Sequence, residues 1–516
     1  MKLLSTITFL FVFSSVIQAQ TIQVLDEETK KPIAGVAVFN DSKLTTGITD
    51  IDGNIDITNF SENEGITFQH ISHINRFLTK KEIISSGNTI ILSPAASSLD
   101  EVVLSISKFE QNKKEISQKI SSITSKDVLF TNPQTSADLL ERSGNVFIQK
   151  SQLGGGSPII RGFSTNRLLI AVDGTRFNNA IFRGGNVQSV ISIDPFSIER
   201  SEVILGPGSV VYGSDAIGGV MNFYTKNAKF SFKDGASVSG NFTTRYATAS
   251  SEKTGHVDLN LGLNEWAFLT SISYTDFGDL VMGKYGPDDY LRPEYVATIN
   301  GEDVLVINKD PRKQVSSGYK QINAMQKIRF MPSENWDFNL GFFYTTTSDY
   351  PRYDRLIRKK EGQLRSAVWD YTPQEWINGN LRITHKGSSL YDKSIFTLSY
   401  QNFKEGRRDR DFGDTILYET KEKVNAYTSA LDFIKKFGKS KLFYGLEYVY
   451  NKVNSVGKQT NLDDGATSET SPRYPDDSNW QSMAAYVSLQ SKVAANLSLQ
   501  VGLRYNHILL YANYDN

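Results

Sequence analysis

Few residues of this chain are of the types that perform catalysis or bind metals. It contains no cysteine, which excludes disulfides and thiolate metal sites. His70 and His73 are three residues apart, but no other ligand lies near them in sequence, so we interpret them as structural. The sequence therefore predicts no bound metal.

Asp50, Asp52 and Asp56 are close together in sequence, and their carboxylates could bind calcium. A calcium loop of the EF-hand type needs glycine at its sixth position, whereas Gly53 comes fourth here. An Asp-Gly hairpin turn is the better interpretation of this segment.

No arrangement typical of an enzyme is present either. Gly206 and Gly208 are followed by Val211, which breaks the dinucleotide-binding fingerprint, and no phosphate-binding Gly-Lys motif occurs. Residues 121–226 contain no histidine, so a Ser/His/Asp triad cannot form within them. We therefore predict a protein without catalytic residues or a cofactor, and not an enzyme.

The N-terminus and the overall charge restrict the class of protein. Lys2 precedes an apolar run that ends at Ile17, and a small residue before Gln20 predicts a cleaved signal peptide over residues 1–19. An uncleaved anchor is the alternative, but the run is shorter than the ~20 residues that span a bilayer. The 56 basic and 56 acidic residues cancel, which gives no support to nucleic-acid binding.

Three kinds of segment follow the signal. Residues 20–95 contain short strands and turns typical of a small β-domain. Residues 96–120 read as a flexible linker that contains the extended, β-branched segment LDEVVL. This segment suits addition to the edge of a partner's sheet, and its residues are Leu99, Asp100, Glu101, Val102, Val103 and Leu104.

Residues 121–226 are rich in glycine turns. A short helix is predicted over residues 136–142, ended by Ser143 and Gly144. Strand and turn patterns then follow in PIIRGFSTNRLLIAVDGTR and GPGSVVYGSDAIGGVMNF. The motif residues are Arg161, Gly162, Asp173, Gly174, Arg176, Gly206, Gly208, Tyr212, Gly213, Gly218 and Gly219.

Residues 227–516 alternate apolar and polar residues in runs of transmembrane-strand length. Leu497, Leu499 and Val501 alternate with Ser498 and Gln500, for example. Short turns and long connections also alternate, which is typical of an outer-membrane β-barrel. The long connections carry residues that we expect to face outward, namely Tyr285, Tyr290, Tyr350, Tyr353, Arg407, Arg408 and Arg410. They could capture ligand, and the alternative is that they only shield the surface.

In their order, LDEVVL and the two glycine-rich segments resemble the TonB box and plug of a TonB-dependent outer-membrane receptor. The N-terminal segment resembles the carboxypeptidase-regulatory-like β-sandwich that precedes such receptors in Bacteroidetes. The resemblance implies an all-β-dominated chain: the β-sandwich, an α+β plug over residues 121–226 and an antiparallel transmembrane β-barrel from residue 227. It also implies a location in the outer-membrane lipid, with TonB and its proton-driven inner-membrane complex as partner.

Within the family, RGFSTNRLLIAVDGTRFNNAIFRGGNVQ looks like the branch for haem, haemoglobin or transferrin iron sources. The resemblance thus implies active import of an iron complex, a siderophore or haem. The missing plug histidine weakens the haem assignment, because haem iron commonly takes an axial histidine. Importers of glycans, peptides or cobalamin, and a non-transporting surface-binding protein, remain alternatives.

Two Gly/Asn-rich plug loops, residues 151–157 and 178–188, are expected at the outer apex. Arg183 and Asn186 are the candidate ligand contacts, since they suit an anionic or carbonyl-rich chelate. The alternative is that these loops only pack against the barrel wall. Four plug arginines are expected to bond carboxylates of the wall: Arg161, Arg167, Arg176 and Arg183.

The barrel portion predicts an incomplete receptor. About eleven strands can be counted between residues 236 and 510, whereas the family's barrel has 22. An open sheet of this size would leave two unpaired edges in lipid, which is costly. A half-barrel that dimerises is the alternative.

Overall fold

The computed structural model describes residues 20–27, 29–40, 44–70, 73–93, 102–182, 189–231, 235–494 and 497–514. The predicted signal peptide, Leu99 to Glu101 of LDEVVL, Arg183 and Asn186 lie outside these residues. The chain divides into two compact units. The first is Met1–Val102 with Asn112–Lys114, and the second is Val103–Gln111 with Glu115–Asn516.

The first unit is a small domain of two sheets around one apolar core. Its strands are β1 (Thr21–Asp26), β2 (Ala37–Asn40), β3 (Thr46–Ile48), β4 (Asn54–Asp56), β5 (Gly65–His70), β6 (His73–Thr79) and β7 (Thr89–Leu92), with helix α1 (Lys80–Ser85) between the last two. One sheet has the order β4-β1-β7 and the other β3-β2-β5-β6. Val24, Val36 and Phe68 are fully buried in the core, as expected for strands with one apolar face.

The aspartates of this domain serve its turns. The Asp50 carboxylate accepts hydrogen bonds from the backbone N–H groups of Asp52, at 3.0 Å, and Asn54, at 2.8 Å. Gly53 has a φ of +73°, and a Cβ there would lie 2.6 Å from the Val24 carbonyl oxygen. The segment is thus the Asp-Gly turn that its sequence indicates.

The two histidines also have structural partners. They face each other across the β5–β6 hairpin, with their Nδ1 atoms 3.0 Å apart. Nε2 of His73 lies 2.9 Å from the Asp26 carboxylate on β1. These contacts join the two sheets of the small domain.

The segment predicted as a flexible linker is ordered in part, which corrects that prediction. It contains two short strands, β8 (Val102–Val103) and β9 (Gln111–Asn112). Val103 and Phe109 belong to a buried apolar cluster with Ile204 and Phe443 of the second unit. Apolar side chains spaced along an otherwise polar segment allow residues 103–111 to pack rather than remain solvated.

The plug, residues 120–225, begins the main part of the second unit. Its strands are β10 (Ile120–Thr124), β11 (Phe147–Gln149), β12 (Ser157–Ile160), β13 (Phe163–Ser164), β14 (Leu168–Val172), β15 (Thr175–Arg176), β16 (Ile198–Ile204) and β17 (Gly219–Thr225). Its helices are α2 (Ser125–Thr131), α3 (Ser136–Arg142) and α4 (Ser209–Tyr212). The central sheet has the order β10-β16-β17-β14-β15, with β14 and β17 parallel. No helix among the described residues is long and apolar enough to cross a membrane.

Helix α3 has the predicted limits, and its capping explains them. Thr135 accepts a hydrogen bond from the backbone N–H of Asp138, and the Asp138 carboxylate bonds the N–H of Thr135 in return. This capping box satisfies two backbone donors at the helix start. Gly144, just past the end, has a φ of +67°.

A large antiparallel sheet forms the rest of the second unit. Its path contains eleven strands in sequence order. They are β18 (Ser237–Ala247), β19 (Glu252–Gly262), β20 (Trp266–Phe277), β23 (Tyr319–Ser333), β24 (Trp336–Thr347), β28 (Ser366–Lys386), β29 (Lys393–Asp411), β30 (Ile416–Phe437), β31 (Ser440–Asn461), β33 (Ser478–Ala494) and β34 (Leu497–Tyr511). All eleven predicted strands are therefore present.

The long connections contain further elements. They hold strands β21 (Glu294–Ile299), β22 (Glu302–Ile307), β25 (Tyr350–Pro351), β26 (Lys359–Lys360), β27 (Gln363–Leu364) and β32 (Thr467–Thr470), and helix α5 (Tyr353–Leu356). Several segments predicted as loops are instead strand: β28 begins at Ser366 and β29 continues to Asp411. Cross-strand pairing extends the ladders well beyond the roughly 10 residues that a tilted strand needs to span a bilayer.

Burial in the large sheet is the reverse of that in a soluble β-sandwich. In β19 the polar His256, Asp258 and Asn260 are buried, whereas Val257 and Leu259 are about half exposed. The polar face packs toward the plug, and the apolar face points outward. This inversion is the pattern of a transmembrane barrel wall.

Candidate functional site

Two motif turns of the plug have the geometry of tight hairpins. Arg161 and Gly162 connect β12 to β13, and Asp173 and Gly174 connect β14 to β15. All four residues have positive φ, which is the signature of a type I′ turn. Their backbone conformation, rather than ligand contact, accounts for these residue types.

Asp173 has an additional role at the plug–wall boundary. Its carboxylate accepts hydrogen bonds from the N–H and hydroxyl of Thr225, at 2.8 and 2.7 Å. It also pairs with Lys327 Nζ of β23 at 2.9 Å. The turn is thereby tied both to the end of β17 and to the wall.

The second glycine-rich motif folds around helix α4. Gly213 ends this helix with a φ of +87°, and a Cβ on Gly218 would lie 2.3 Å from the Cβ of Phe163. Tyr212 is buried, and its hydroxyl accepts a hydrogen bond from Asn222 at 3.3 Å. Gly206 and Gly208 lie in the connection between β16 and α4, and Gly219 is the first residue of β17. The motif keeps the plug fold compact.

Arg176 takes part in a charged cluster between plug and wall. It pairs with Asp215 of the plug at 2.6 Å and donates to the Tyr212 carbonyl oxygen at 2.6 Å. The wall carboxylate of Glu447 is 3.9 Å from Arg176 and 2.9 Å from Arg504 of β34. The predicted wall contact of Arg176 is thus made, although Arg504 is the nearer partner of Glu447.

The same prediction is wrong for two other arginines. Arg161 and Arg167 are exposed, and neither forms an ion pair within the part of the chain that the structure describes. Arg161 occupies a tight turn with a φ of +49°, and its side chain is exposed there. No sequence pattern indicated that lysines, namely Lys108, Lys226 and Lys327, make plug or wall ion pairs.

The plug loop of residues 151–157 is covered by wall residues. A Cβ on Gly154 would lie 3.1 Å from Tyr350 and 3.2 Å from Tyr319. The backbone N–H of Asp354, in α5, donates to the Ser151 carbonyl oxygen at 3.1 Å. In this conformation the loop therefore packs against the barrel wall, as the alternative interpretation expects.

The described part of the second apex loop is also anchored. The Asn178 side chain bonds the backbone of Leu168 and Ile170, at 2.9 Å each. The N–H of Ala180 donates to Asn451 of β31 at 3.0 Å. These bonds set the position from which the chain continues toward Arg183 and Asn186.

A group of arginines stacked on aromatic rings lies beside the apex. Arg352 and Arg355 lie 5.0 and 5.9 Å from the ring centre of Trp369, and Arg407 lies 5.4 Å from that of Tyr371. Burial, with the charges of Arg352 and Arg358, lowers the pKa of Arg355. Arg407 and Tyr371 are buried, and Arg352 is paired with Asp354 at 2.8 Å, so Arg355 is the member of this group that could meet an anionic ligand with an aromatic group. Sequence reasoning missed Arg352, Arg355 and Trp369.

The loop residues expected to face outward divide into three sets, of which one, Tyr353 and Arg408, is half-buried. Tyr285 and Tyr290 are exposed, as predicted. Tyr350, Arg407 and Arg410 are buried, so the prediction that they face outward is wrong. They were assigned to loops, whereas the extended strands and β25 hold them inside.

The described end of the LDEVVL segment is held by the plug. Val102 is 43% exposed and Val103 is 1% exposed. The backbone N–H groups of Leu104 and Ser105 donate to the carboxylate of Glu202 on β16, at 3.0 and 2.8 Å. Glu202 is fully buried and also pairs with Arg200 at 2.9 Å. Val103 and Leu104 must leave these contacts before they can join another sheet.

Two family models match the chain. The TonB-dependent Receptor Plug Domain matches residues 112–220, and the Outer membrane protein beta-barrel family matches residues 380–516. These matches and the fold show that the chain contains the plug domain of TonB-dependent receptors and strands of an outer-membrane β-barrel, which place it in the cell outer membrane.

Curated relatives include vitamin B12 transporters named BtuB. The chain is 23% identical to that of Photobacterium profundum over 427 residues, which are 78% of this chain and 62% of the relative. It is 39% identical to that of Vibrio vulnificus (strain CMCP6) over 136 residues, 26% of this chain and 22% of the relative. The chain thus spans under two thirds of these relatives' length.

Solved structures share the fold at low identity. The copper transporter OprC aligns with a TM-score of 0.60 and 15% identity, over 76% of this chain and 55% of that one. The FrpB iron transporter from Neisseria meningitidis aligns with a TM-score of 0.57 and 14% identity, over 76% of this chain and 58% of that one. P. aeruginosa FpvA bound to pyoverdines aligns with a TM-score of 0.55 and 13% identity, over 87% of this chain and 61% of that one.

Proposed function

We propose that this protein actively imports a scarce ligand across the outer membrane, driven by TonB and the proton-powered inner-membrane complex. The observation that carries the proposal is the state of the LDEVVL segment. Its last residues are held by Glu202 of the plug, and the chain that follows reaches the wall at Asp432. A pull on this segment acts directly on the plug and on its attachment to the wall.

The ligand that we propose is an iron complex, a siderophore or haem. Arg352 and Arg355, half-buried over Trp369, suit an anionic chelate with aromatic groups. Structural neighbours include an iron transporter and a receptor bound to pyoverdines, which is consistent with this class. Haem would take its axial ligand from outside the plug, since residues 121–226 contain no histidine.

Cobalamin is the second candidate, because the curated relatives transport vitamin B12. Glycan or peptide import and ligand binding without transport are further alternatives. Arg355 beside Trp369 favours an anionic ligand over these, because it forms no ion pair among the described residues, whereas Arg352 is paired with Asp354 and Arg407 with Glu405.

Deletion of residues 99–104 tests the mechanism. We expect uptake to be abolished and binding of ligand at the cell surface to persist, because the segment contacts the periplasmic motor and not the ligand. The strain would be supplied separately with ferric siderophores, haem and cyanocobalamin. Uptake that survives the deletion would contradict TonB-driven import.

Arg355→Gln tests the ligand class. It removes one charge beside Trp369 and should weaken binding of an anionic iron chelate by about tenfold, the worth of one charge-assisted hydrogen bond. Arg312→Gln is the matched control, because Arg312 is exposed and lies in another outer loop. If cyanocobalamin is imported and iron complexes are not, the cobalamin alternative replaces the iron assignment.

A further inference from the structure

A polar cavity of about 750 Å³ lies in the second unit, at the end of the large sheet that carries the short turns. Its walls come from the plug and from strands β23, β24, β28 and β29. Leu104 and Glu110 also line it, so the segment that follows LDEVVL forms part of its surface. No motif of the sequence indicates this cavity.

Four cations of the cavity form no ion pair among the described residues: Lys126 of the plug and a wall group of three, Arg382, Lys386 and Lys393. Arg382 and Lys386 share one face of β28, and Lys393 is the directly opposite neighbour of Lys386 on β29. The side chains of these three wall cations form no hydrogen bond or ion pair within the residues that the structure describes. Arg382 and Lys393 are half-buried, and Lys386 is exposed.

Other cations in the same cavity are neutralised. Lys327 lies 2.9 Å from Asp173, and Arg329 lies 2.7 Å from Asp337. Carboxylates of the plug and of the wall therefore pair with some cations of the cavity and leave the wall group of three without an ion pair, although Glu199 and Glu334 also line the cavity. Like charges directly opposite in a sheet are destabilising, so this arrangement favours an anion from elsewhere.

Of the carboxylates that line the cavity, Glu110 lies on the segment that follows LDEVVL, whereas Glu199 lies on β16 of the plug and Glu334 on a short turn of the wall. The Glu110 side chain is exposed, lines the cavity and interacts electrostatically with Lys393. It lies two residues after Lys108, on the segment that a pull on LDEVVL would displace. Withdrawal of this segment would remove a carboxylate from the cavity and increase its positive potential.

We infer that the cavity is an anion-binding exit site, in which Arg382, Lys386 and Lys393 hold a carboxylate- or phosphate-bearing ligand on its way to the periplasm. Glu110 occupies the positive field while the segment is at rest and leaves it when the segment is pulled. The inference rests on the proposed import function and adds to it an anionic ligand class and an ordered release.

Citrate is a suitable probe of the site in the purified receptor. Acetylation of Lys386 and Lys393 by an amine-reactive reagent is measured by mass spectrometry as citrate is added. Lys492 is the reference lysine, because it is exposed at the same end of the sheet, on β33, and does not line the cavity. We expect citrate to protect Lys386 and Lys393 and not Lys492.

Two substitutions with opposite expected effects strengthen the test. Arg382→Gln should weaken citrate protection about tenfold through the loss of one charge-assisted contact. Glu110→Gln should strengthen protection severalfold, because it removes the competing carboxylate. Equal protection of Lys492, or protection unchanged in both variants, would overturn the anion site. Retained heat-modifiable mobility in gels confirms that each variant is folded.

Uptake measurements separate this inference from the proposed function. If the unaltered receptor imports none of the ligands in the panel, the import proposal fails, and citrate protection still decides whether the cavity binds anions. If the receptor imports an anionic ligand and Arg382→Gln with Lys393→Gln imports it at the same rate, the exit site is refuted and import stands. Tenfold slower uptake by this double variant, with unchanged ligand binding at the cell surface, would support both the import proposal and the exit site.

Discussion

Lys108 and Asp432 form a buried ion pair in which Nζ lies 3.0 Å from each carboxylate oxygen. Their side chains are 9% and 1% exposed, and the Tyr486 hydroxyl donates to the same carboxylate at 2.7 Å. The pair joins the segment after LDEVVL to strand β30 of the wall. A pull that extends this segment must therefore break an ion pair in a nearly dry environment.

Lys108→Met should release residues 103–111 from the wall. Removal of one partner leaves the Asp432 charge buried, which costs about 3–5 kcal/mol in comparable pairs. We expect faster hydrogen–deuterium exchange over residues 103–111. Lys439→Met, at an exposed lysine on a short turn, is the control. Unchanged exchange in Lys108→Met would show that Glu202 and the apolar contacts hold the segment without the ion pair.

Val102→Pro should abolish uptake and leave surface binding intact. Proline removes a backbone donor and restricts φ, so the segment could no longer add as a regular strand to a partner's sheet. Val102 is about half exposed, so the change does not empty a core position. Val102→Ile keeps the β-branched shape and should transport normally. Normal uptake by the proline variant would argue against strand addition.

Arg183→Ala and Asn186→Ala should each weaken ligand binding, with the receptor still present in the outer membrane and resistant to heat in detergent. Both follow the anchored part of the second apex loop. Arg167→Ala is the matched control, because Arg167 is an exposed plug arginine in another connection. Unchanged affinity for every transported ligand would assign the loop to packing.

The hairpin of β21 and β22 should loosen in acid. Arg410 pairs with Asp303 at 2.6 Å, and both side chains are buried. Burial opposes the Asp303 charge, but hydrogen bonds from Arg410, Gly413 and Thr298 outweigh it and lower the pKa. Because the pKa of Asp303 is lower in the folded protein than in the unfolded chain, its charge stabilises the folded protein at pH values above the unfolded pKa of ~4. This stabilisation is lost as the pH falls through the pKa of the folded protein.

Hydrogen–deuterium exchange over residues 294–307, corrected for intrinsic rates, measures this loosening. Asp303→Asn should show fast exchange already at neutral pH and little further change below pH ~4. Glu302→Gln, at the exposed neighbouring position, should behave as the unaltered protein. Identical pH profiles for Asp303→Asn and the unaltered protein would remove Asp303 from this role.

Local patterns determined much of the architecture. In β19 and β34 the alternation of residue types predicts a strand and its two faces, because side chains of a strand alternate by geometry. Arg161-Gly162 and Asp173-Gly174 predict turns, because their backbone conformation is a local property. The capping pattern from Thr135 to Asp138 likewise predicts where α3 begins.

Only the tertiary structure decided which charges meet. The Lys108–Asp432 pair joins residues 324 positions apart, and no periodicity in the sequence connects them. The buried positions of Tyr350 and Arg410 depend on ladders that extend past the membrane, and this extension comes from pairing with neighbouring strands. The unpaired state of Arg382, Lys386 and Lys393 also depends on where the plug and its preceding segment lie. Backbone conformation follows from nearby residues, whereas charge pairing and burial depend on contacts that the completed fold creates between distant ones.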